Sequence, residues 1–171
     1  MLLLISDANV LIDVEIGNLL APMFALPFSF AVPDLLFSTE LEAKHKHLLD
    51  FGLSLKKVQA SFLEKTESLS HKHPRPSTND LLALVLAIQE QCPLLTGDKH
   101  LRMAALAEDV QVHGTIWLVN QMLEHGTIQV DGAVAAYRQM QEQGSRLPWK
   151  EAEEQVRLFV ERKAAKERAL R

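Results

Sequence analysis

Three aspartates stand where a chain can do chemistry. Asp7 follows the apolar run Leu2–Ile5, Asp98 follows Leu94-Leu95-Thr96-Gly97, and Asp80 closes Ser77-Thr78-Asn79-Asp80. A short continuous apolar run suits a strand buried on both faces of a parallel sheet. The carboxyl edge of such a sheet is where ligands bind. Each aspartate also has a simpler role, because a carboxylate at a helix start accepts the free N–H groups of the first turn. Asp7 would cap a helix from Ala8 to Leu20, Asp98 would cap one from Lys99 to Ala107, and Asp80 fits a capping box with Ser77. Convergence separates the two readings. With the first strand central and the Leu94 strand beside it where strand order reverses, Asp7 and Asp98 flank one crevice and the helix bearing Asp80 crosses it. A helix after Pro33 adds Glu40 or Glu42. Carboxylates gathered in this way repel one another unless a divalent cation neutralises them. Ligation by oxygen alone selects a hard ion such as Mg²⁺ or Mn²⁺.

The elements that must position these acids follow from punctuation and periodicity. Ala21-Pro22 and Pro27 mark a connection, and Phe28–Val32 reads as the second strand. Pro33-Asp34 opens a helix from Leu35 to His47, Leu53–Val58 is a short third strand, and Ala60–Leu69 has helical spacing. His71–Pro76 reads as a loop. Leu81, Leu84, Val85 and Ile88 form the stripe of the clearest helix, which Pro93 forbids from continuing. Leu94–Thr96 is the fourth strand and Val110–Val112 the fifth, with helices at Lys99–Ala107, Thr115–Leu123, Gly132–Gln143 and from Trp149 onward. Alternating strands and helices joined by short turns predict an α/β fold, with helices on both sides of a parallel sheet. Residues 1–126 are expected to form the α/β domain that carries these acids and 127–171 a C-terminal helical extension packed on it.

At 171 residues the chain has the usual size of one domain. No apolar run approaches the roughly 18 residues a membrane span needs, and the N-terminal run lacks the features of a signal peptide. Cys92 is the only cysteine, which excludes an internal disulfide and fits a reducing cytoplasm; placed before Pro93, it reads as a buried, inert thiol. The formal net charge of -4 gives no global attraction for nucleic acid. Between Arg146 and Arg171, however, eight Lys or Arg stand against five Glu, so a nucleic acid would have to meet a local basic face. His45 and His47 do not share a helix face, and His71 and His73 have no further Cys or His at ligand spacing. Trp117 and Trp149 read as packing residues.

The order Asp-Ala-Asn-Val-Leu-Ile at 7–12, Pro33-Asp34 with Glu40, Asn79-Asp80 and Leu95-Thr-Gly-Asp98 resembles the PIN-domain nucleases. It is most similar to bacterial PIN proteins related to the VapC toxins of VapBC toxin–antitoxin pairs. The resemblance covers roughly Leu2 to Glu124 and continues into the helical tail. It implies a three-layer α/β/α sandwich in which Asp7, Glu40, Asp80 and Asp98 hold Mg²⁺ or Mn²⁺, with Glu40 preferred over Glu42. Asn9 and Thr96 match positions that shape the same pocket. The sequence departs from many relatives after Asp98, where Lys99 and His100 replace a further acid; this touches the binding of a second ion.

The implied activity is a divalent-metal-dependent endoribonuclease acting on single-stranded RNA, in which the ion activates water for in-line attack on a phosphodiester. Lys44, Lys99 and Arg102 are candidate substrate contacts, since an acidic site needs nearby cations to hold a polyanion. A toxin role implies an antitoxin partner, and the stripe from Trp149 to Val160 could serve a homodimer. Two alternatives stand beside this reading: a PIN-like binding or regulatory module without turnover, and a Mg-dependent phosphatase of another α/β class. The phosphatase pattern wants Asp-x-Asp after the first strand, and here Asn9 holds the third position.

Overall fold

Five parallel strands form one sheet in the order β3-β2-β1-β4-β5 in a computed structural model that describes residues 1–171. They are β1 (Leu2–Ser6), β2 (Phe28–Pro33), β3 (Ser54–Lys56), β4 (Leu94–Leu95) and β5 (Val112–His113). The helices are α1 (Ala8–Ile16), α2 (Leu20–Phe24), α3 (Asp34–Leu36), α4 (Glu42–His45), α5 (Leu48–Phe51), α6 (Ala60–Lys72), α7 (Thr78–Glu90), α8 (Lys99–Ala107), α9 (Thr115–Glu124), α10 (Val130–Glu142) and α11 (Trp149–Ala169); a π-helical stretch, Phe37–Leu41, joins α3 to α4. The architecture is the expected α/β fold with a central parallel sheet flanked by helices.

The chain forms two compact units. The first takes Met1–Ile12 with Pro27–Gly114, and the second takes Asp13–Leu26 with Thr115–Arg171. In the first, β1 is central because Leu4 and Ile5 are wholly buried, as a strand covered on both faces requires. It pairs with β2 from Leu2↔Phe28 to Ile5↔Ala31 and with β4 at Ile5↔Leu94 and Ser6↔Leu95. The chain builds outward from β1 through β2 to β3, then crosses back to lay β4 on the other side. The carboxyl ends of β1 and β4 therefore frame the switch point at which parallel sheets bind ligands. In α7 the residues Leu81 to Ala87 are all buried, which makes it the central helix of this unit.

The second unit is helical. Its core takes Leu118, Val119 and Met122 from α9, Ala136 and Met140 from α10, and Ala152 and Val156 from α11. Trp149 meets Tyr137 edge to face at 6.5 Å, the packing role its position suggested.

Local departures from the sequence reading have physical causes. The helix expected from Ala8 to Leu20 stops at Ile16, and Asn18 turns left-handed at φ 55. Gly17 sits at the break because a Cβ there would lie 2.6 Å from the Met140 methyl. The expected connection around Pro22 is instead helix α2; Pro22 is its third residue, where the missing N–H leaves no helical bond unmade. His71 and Lys72 extend α6 into the expected loop. The fifth strand lies at Val112–His113, later than expected, because Asp109 at φ 58 turns the chain just before it.

Candidate active site

Asp7 is the buried anchor of the site. It follows β1 directly, is 1% exposed, and its backbone N–H continues the sheet pairing to the Leu95 carbonyl at 3.0 Å. Its Oδ1 accepts the Val10 amide at 2.9 Å, the N-cap bond that starts α1. Its Oδ2 accepts the Thr96 hydroxyl at 2.5 Å. Thr96 is wholly buried just past β4, and the same hydroxyl oxygen accepts the Asp98 amide at 3.1 Å. One threonine thus ties the carboxylate after β1 to the backbone of the acid after β4, using both the donor and the acceptor capacity of its hydroxyl.

Asp98 begins α8 by accepting the Leu101 amide on Oδ1 at 2.7 Å. Asp80 closes a complete capping box: Ser77 Oγ accepts the Asp80 amide at 3.1 Å, and Asp80 Oδ2 accepts the Ser77 amide at 2.9 Å. Asp7 and Asp98 are therefore helix N-caps, and Asp80 is the third-position acid of a capping box whose cap is Ser77. Capping uses one oxygen of each of Asp80 and Asp98, and the other oxygen of each accepts no hydrogen bond. Caps at helix N-termini also place these carboxylates where the backbone dipoles favour negative charge.

Glu40 lies in the π-helical stretch, a backbone form common where side chains must be re-aimed at a site. Its Oε1 accepts the Asn79 side-chain amide at 2.6 Å, and the same amide nitrogen donates to Thr39 Oγ1 at 2.9 Å. Asn79 immediately precedes Asp80, and α3 packs against α7. Nothing in the sequence marks Asn79 beyond its place in the Asn79-Asp80 motif. Here it is the residue that draws Glu40 to the start of α7.

The four acids therefore stand as two linked pairs, Asp7 with Asp98 through Thr96, and Glu40 with Asp80 through Asn79. Donor chemistry fits a hard divalent ion: all four offer carboxylate oxygens, and Glu40, Asp80 and Asp98 form no ion pair. Placement fits it less well, since no three His, Cys, Asp or Glu side chains stand in a group that could hold a metal ion.

Among the other residues singled out, Asn9 is exposed on α1 and makes no hydrogen bond to any of the acids. Lys44 and Lys99 are exposed and unpaired. Arg102 is half-buried and gives its guanidinium to the Thr96 carbonyl at 3.3 Å, which holds the end of β4. Burial, and then the Arg102 charge, keeps the nearby His113 below the usual histidine range, so its neutral form is favoured.

The family described as DUF3368, PIN domain, matches residues 3–161. The chain belongs to this PIN-domain family, whose members are generally metal-dependent nucleases. No curated protein matches the chain. Among solved structures, a PilT N-terminus domain protein, SSO1118, from the hyperthermophilic archaeon Sulfolobus solfataricus P2 is similar at 18% identity, with 73% of this chain and 96% of that chain covered and a TM-score of 0.49. No helix is long and apolar enough to cross a membrane.

Proposed function

We propose that this chain is a Mg²⁺- or Mn²⁺-dependent endoribonuclease that hydrolyses phosphodiester bonds of single-stranded RNA in the cytoplasm, as a toxin-type PIN protein held in check by an antitoxin. The observation that carries the reading is the buried Asp7 carboxylate at the switch point, hydrogen-bonded to Thr96 and linked through it to Asp98. Burying an acid at the carboxyl edge of the central strand costs desolvation that a cap alone does not require, since exposed residues cap equally well.

Asp7, Asp98, Asp80 and Glu40 would hold the ion, which when bound supplies Lewis acidity to a phosphate oxygen and lowers the pKa of a water. The chain's own residues do the rest. Thr96 fixes the orientation of Asp7, and Asn79 that of Glu40. Lys44 and Lys99 offset the negative field of the acids toward an incoming polyanion.

The test is purified protein with end-labelled single-stranded RNA in Mn²⁺, in EDTA, and with Asp7→Asn. Cleavage confined to the wild type in Mn²⁺ supports the reading; equal cleavage by the variant defeats it. A second reading, a binding module without turnover, draws on the three capping roles and on the absence of any three-acid group. RNA binding that survives EDTA, with no cleavage in any divalent ion, would select it.

A further inference from the structure

Outside the acidic cluster, the helical unit carries a concave basic site. On α11, Phe159, Arg162, Lys163 and Lys166 fall at i, i+3, i+4 and i+7 and so share one face. With Ile128 and the end of α9 this face lines a cavity of about 330 Å³, within the size range of small-ligand sites.

The charges in it are unequal. Arg162 is neutralised by Glu124 at 2.8 Å, and Arg157, on α11 but outside the cavity, is neutralised by Glu154 and Glu161. Lys163 and Lys166 pair with no carboxylate. A chain of net charge -4 thus keeps two free ammonium groups together in a hollow, beside a half-buried aromatic ring and Ile128. Sites for single-stranded nucleic acid combine cations that track the backbone with an aromatic surface for a base.

We propose that this cavity binds one nucleotide of a single-stranded RNA, its phosphate against Lys163 and Lys166 and its base against Phe159, as a binding site additional to the carboxylates. The choice of RNA rests on the nuclease reading above; the cavity and its unpaired charges do not. Side chains that grip the strand away from the scissile bond would contribute affinity without taking part in hydrolysis.

The test uses the full chain carrying Asp7→Asn, in EDTA, with a fluorescein-labelled single-stranded RNA of about ten nucleotides followed by anisotropy at several KCl concentrations. K163A/K166A should weaken binding about tenfold and lower the slope of log affinity against log salt by about 0.7, since the one phosphate contact on a single strand contributes about that much. Phe159→Ala should weaken binding about tenfold while Phe159→Trp retains it, since an indole also stacks. Arg146→Ala, exposed and outside the cavity, should bind as the parent does. Because both lysine side chains are solvated, their variant should keep the parent's urea midpoint. Unchanged affinity and slope in K163A/K166A would overturn the proposal, as would a parent chain that binds no RNA. Cleavage by the Asp7-bearing chain in Mn²⁺ is scored separately. Cleavage with lysine-independent binding defeats only this inference, and lysine-dependent binding without cleavage defeats only the nuclease reading.

Discussion

Thr96 gives its hydroxyl to Asp7 across the β1–β4 boundary at 2.5 Å, with both side chains removed from solvent. A hydrogen bond to a charged group contributes about 1.5–3 kcal/mol when neither partner has water as an alternative. Thr96→Val keeps the shape and removes both this donor and the acceptor of the Asp98 amide, so it should destabilise the protein by at least that amount in urea unfolding. Cleavage should fall as well, while Thr96→Ser retains most of both. A valine variant as stable as wild type would show that the bond contributes little to orienting Asp7.

Substitution can separate the cap that Asp7 forms from the metal-holding role proposed for it. Asparagine caps helices about as well as aspartate, but its NH2 cannot accept the Thr96 hydroxyl, so Asp7→Asn should cost about as much stability as Thr96→Val and no more. Its cleavage rate should nonetheless drop by about a hundredfold or more, the scale of losing several kcal/mol of charge stabilisation. Asp7→Ala should lose both the activity and the cap. Retained cleavage in a folded Asp7→Asn protein would leave Asp7 as a structural cap alone.

Asn79 positions Glu40 without being an acid itself. Asn79→Ala releases Glu40 into solvent at little cost to the core, because Glu40 is already exposed. Partners that orient a ligand typically matter about 10- to 100-fold in metal affinity or activity. The expected signature is a rise of about that size in the Mn²⁺ concentration giving half-maximal cleavage, with the urea midpoint unchanged. Unaltered Mn²⁺ dependence would remove Glu40 from the set.

Much of this was legible in the sequence, and for physical reasons. Leu2–Ile5 and Leu94-Leu95 are continuous apolar runs, which suit a parallel strand covered on both faces, so the sheet and the two acids at its edge could be read directly. The Ser77–Asp80 capping box is a purely local pattern and was found as read. Other features depend on partners that spacing does not reveal. Gly17 leaves room for the Met140 methyl where α1 ends, and Asn79 matters because Glu40 arrives beside it. The π-helical turn under Glu40 has no periodic signal in Phe37–Leu41. Arg102 reads from the sequence as a substrate contact, and only the folded chain shows that its guanidinium donates to the Thr96 carbonyl.

Cys92 was expected to be buried and inert; it is only half-buried, and that partial burial, followed by the charge of Glu90, pushes its thiol up to about 11. The thiolate is the reactive form, and each pKa unit above ambient pH makes it about tenfold scarcer. Against the ordinary value of 9.0 the native thiol should react with a disulfide reagent roughly a hundredfold more slowly at mildly alkaline pH than the same residue in urea. Comparable rates in the two conditions would mean that the thiol is freely solvated in the fold.

Asp13 predicts a pH dependence of stability in the helical unit. Burial raises its carboxyl above the ordinary 3.8, and the Ser145 hydroxyl, donating to Oδ1 at 2.6 Å, opposes that rise without cancelling it. A folded-state value above the unfolded one means that the native chain holds this proton more tightly. Its contribution to stability is then fully present below 3.8 and is lost as pH rises through the folded value. Asp13→Asn keeps an acceptor for Ser145 and cannot ionise, so its gain over wild type should be larger near about pH 7 than near about pH 3.5. Ser145→Ala removes the bond that favours the charged form, so its cost should likewise be greater near neutrality. Urea midpoints of the three proteins at both pH values decide the matter. If the wild-type-to-Asn difference is the same at each, Asp13 titrates alike in the folded and unfolded chain, and its burial carries no electrostatic cost.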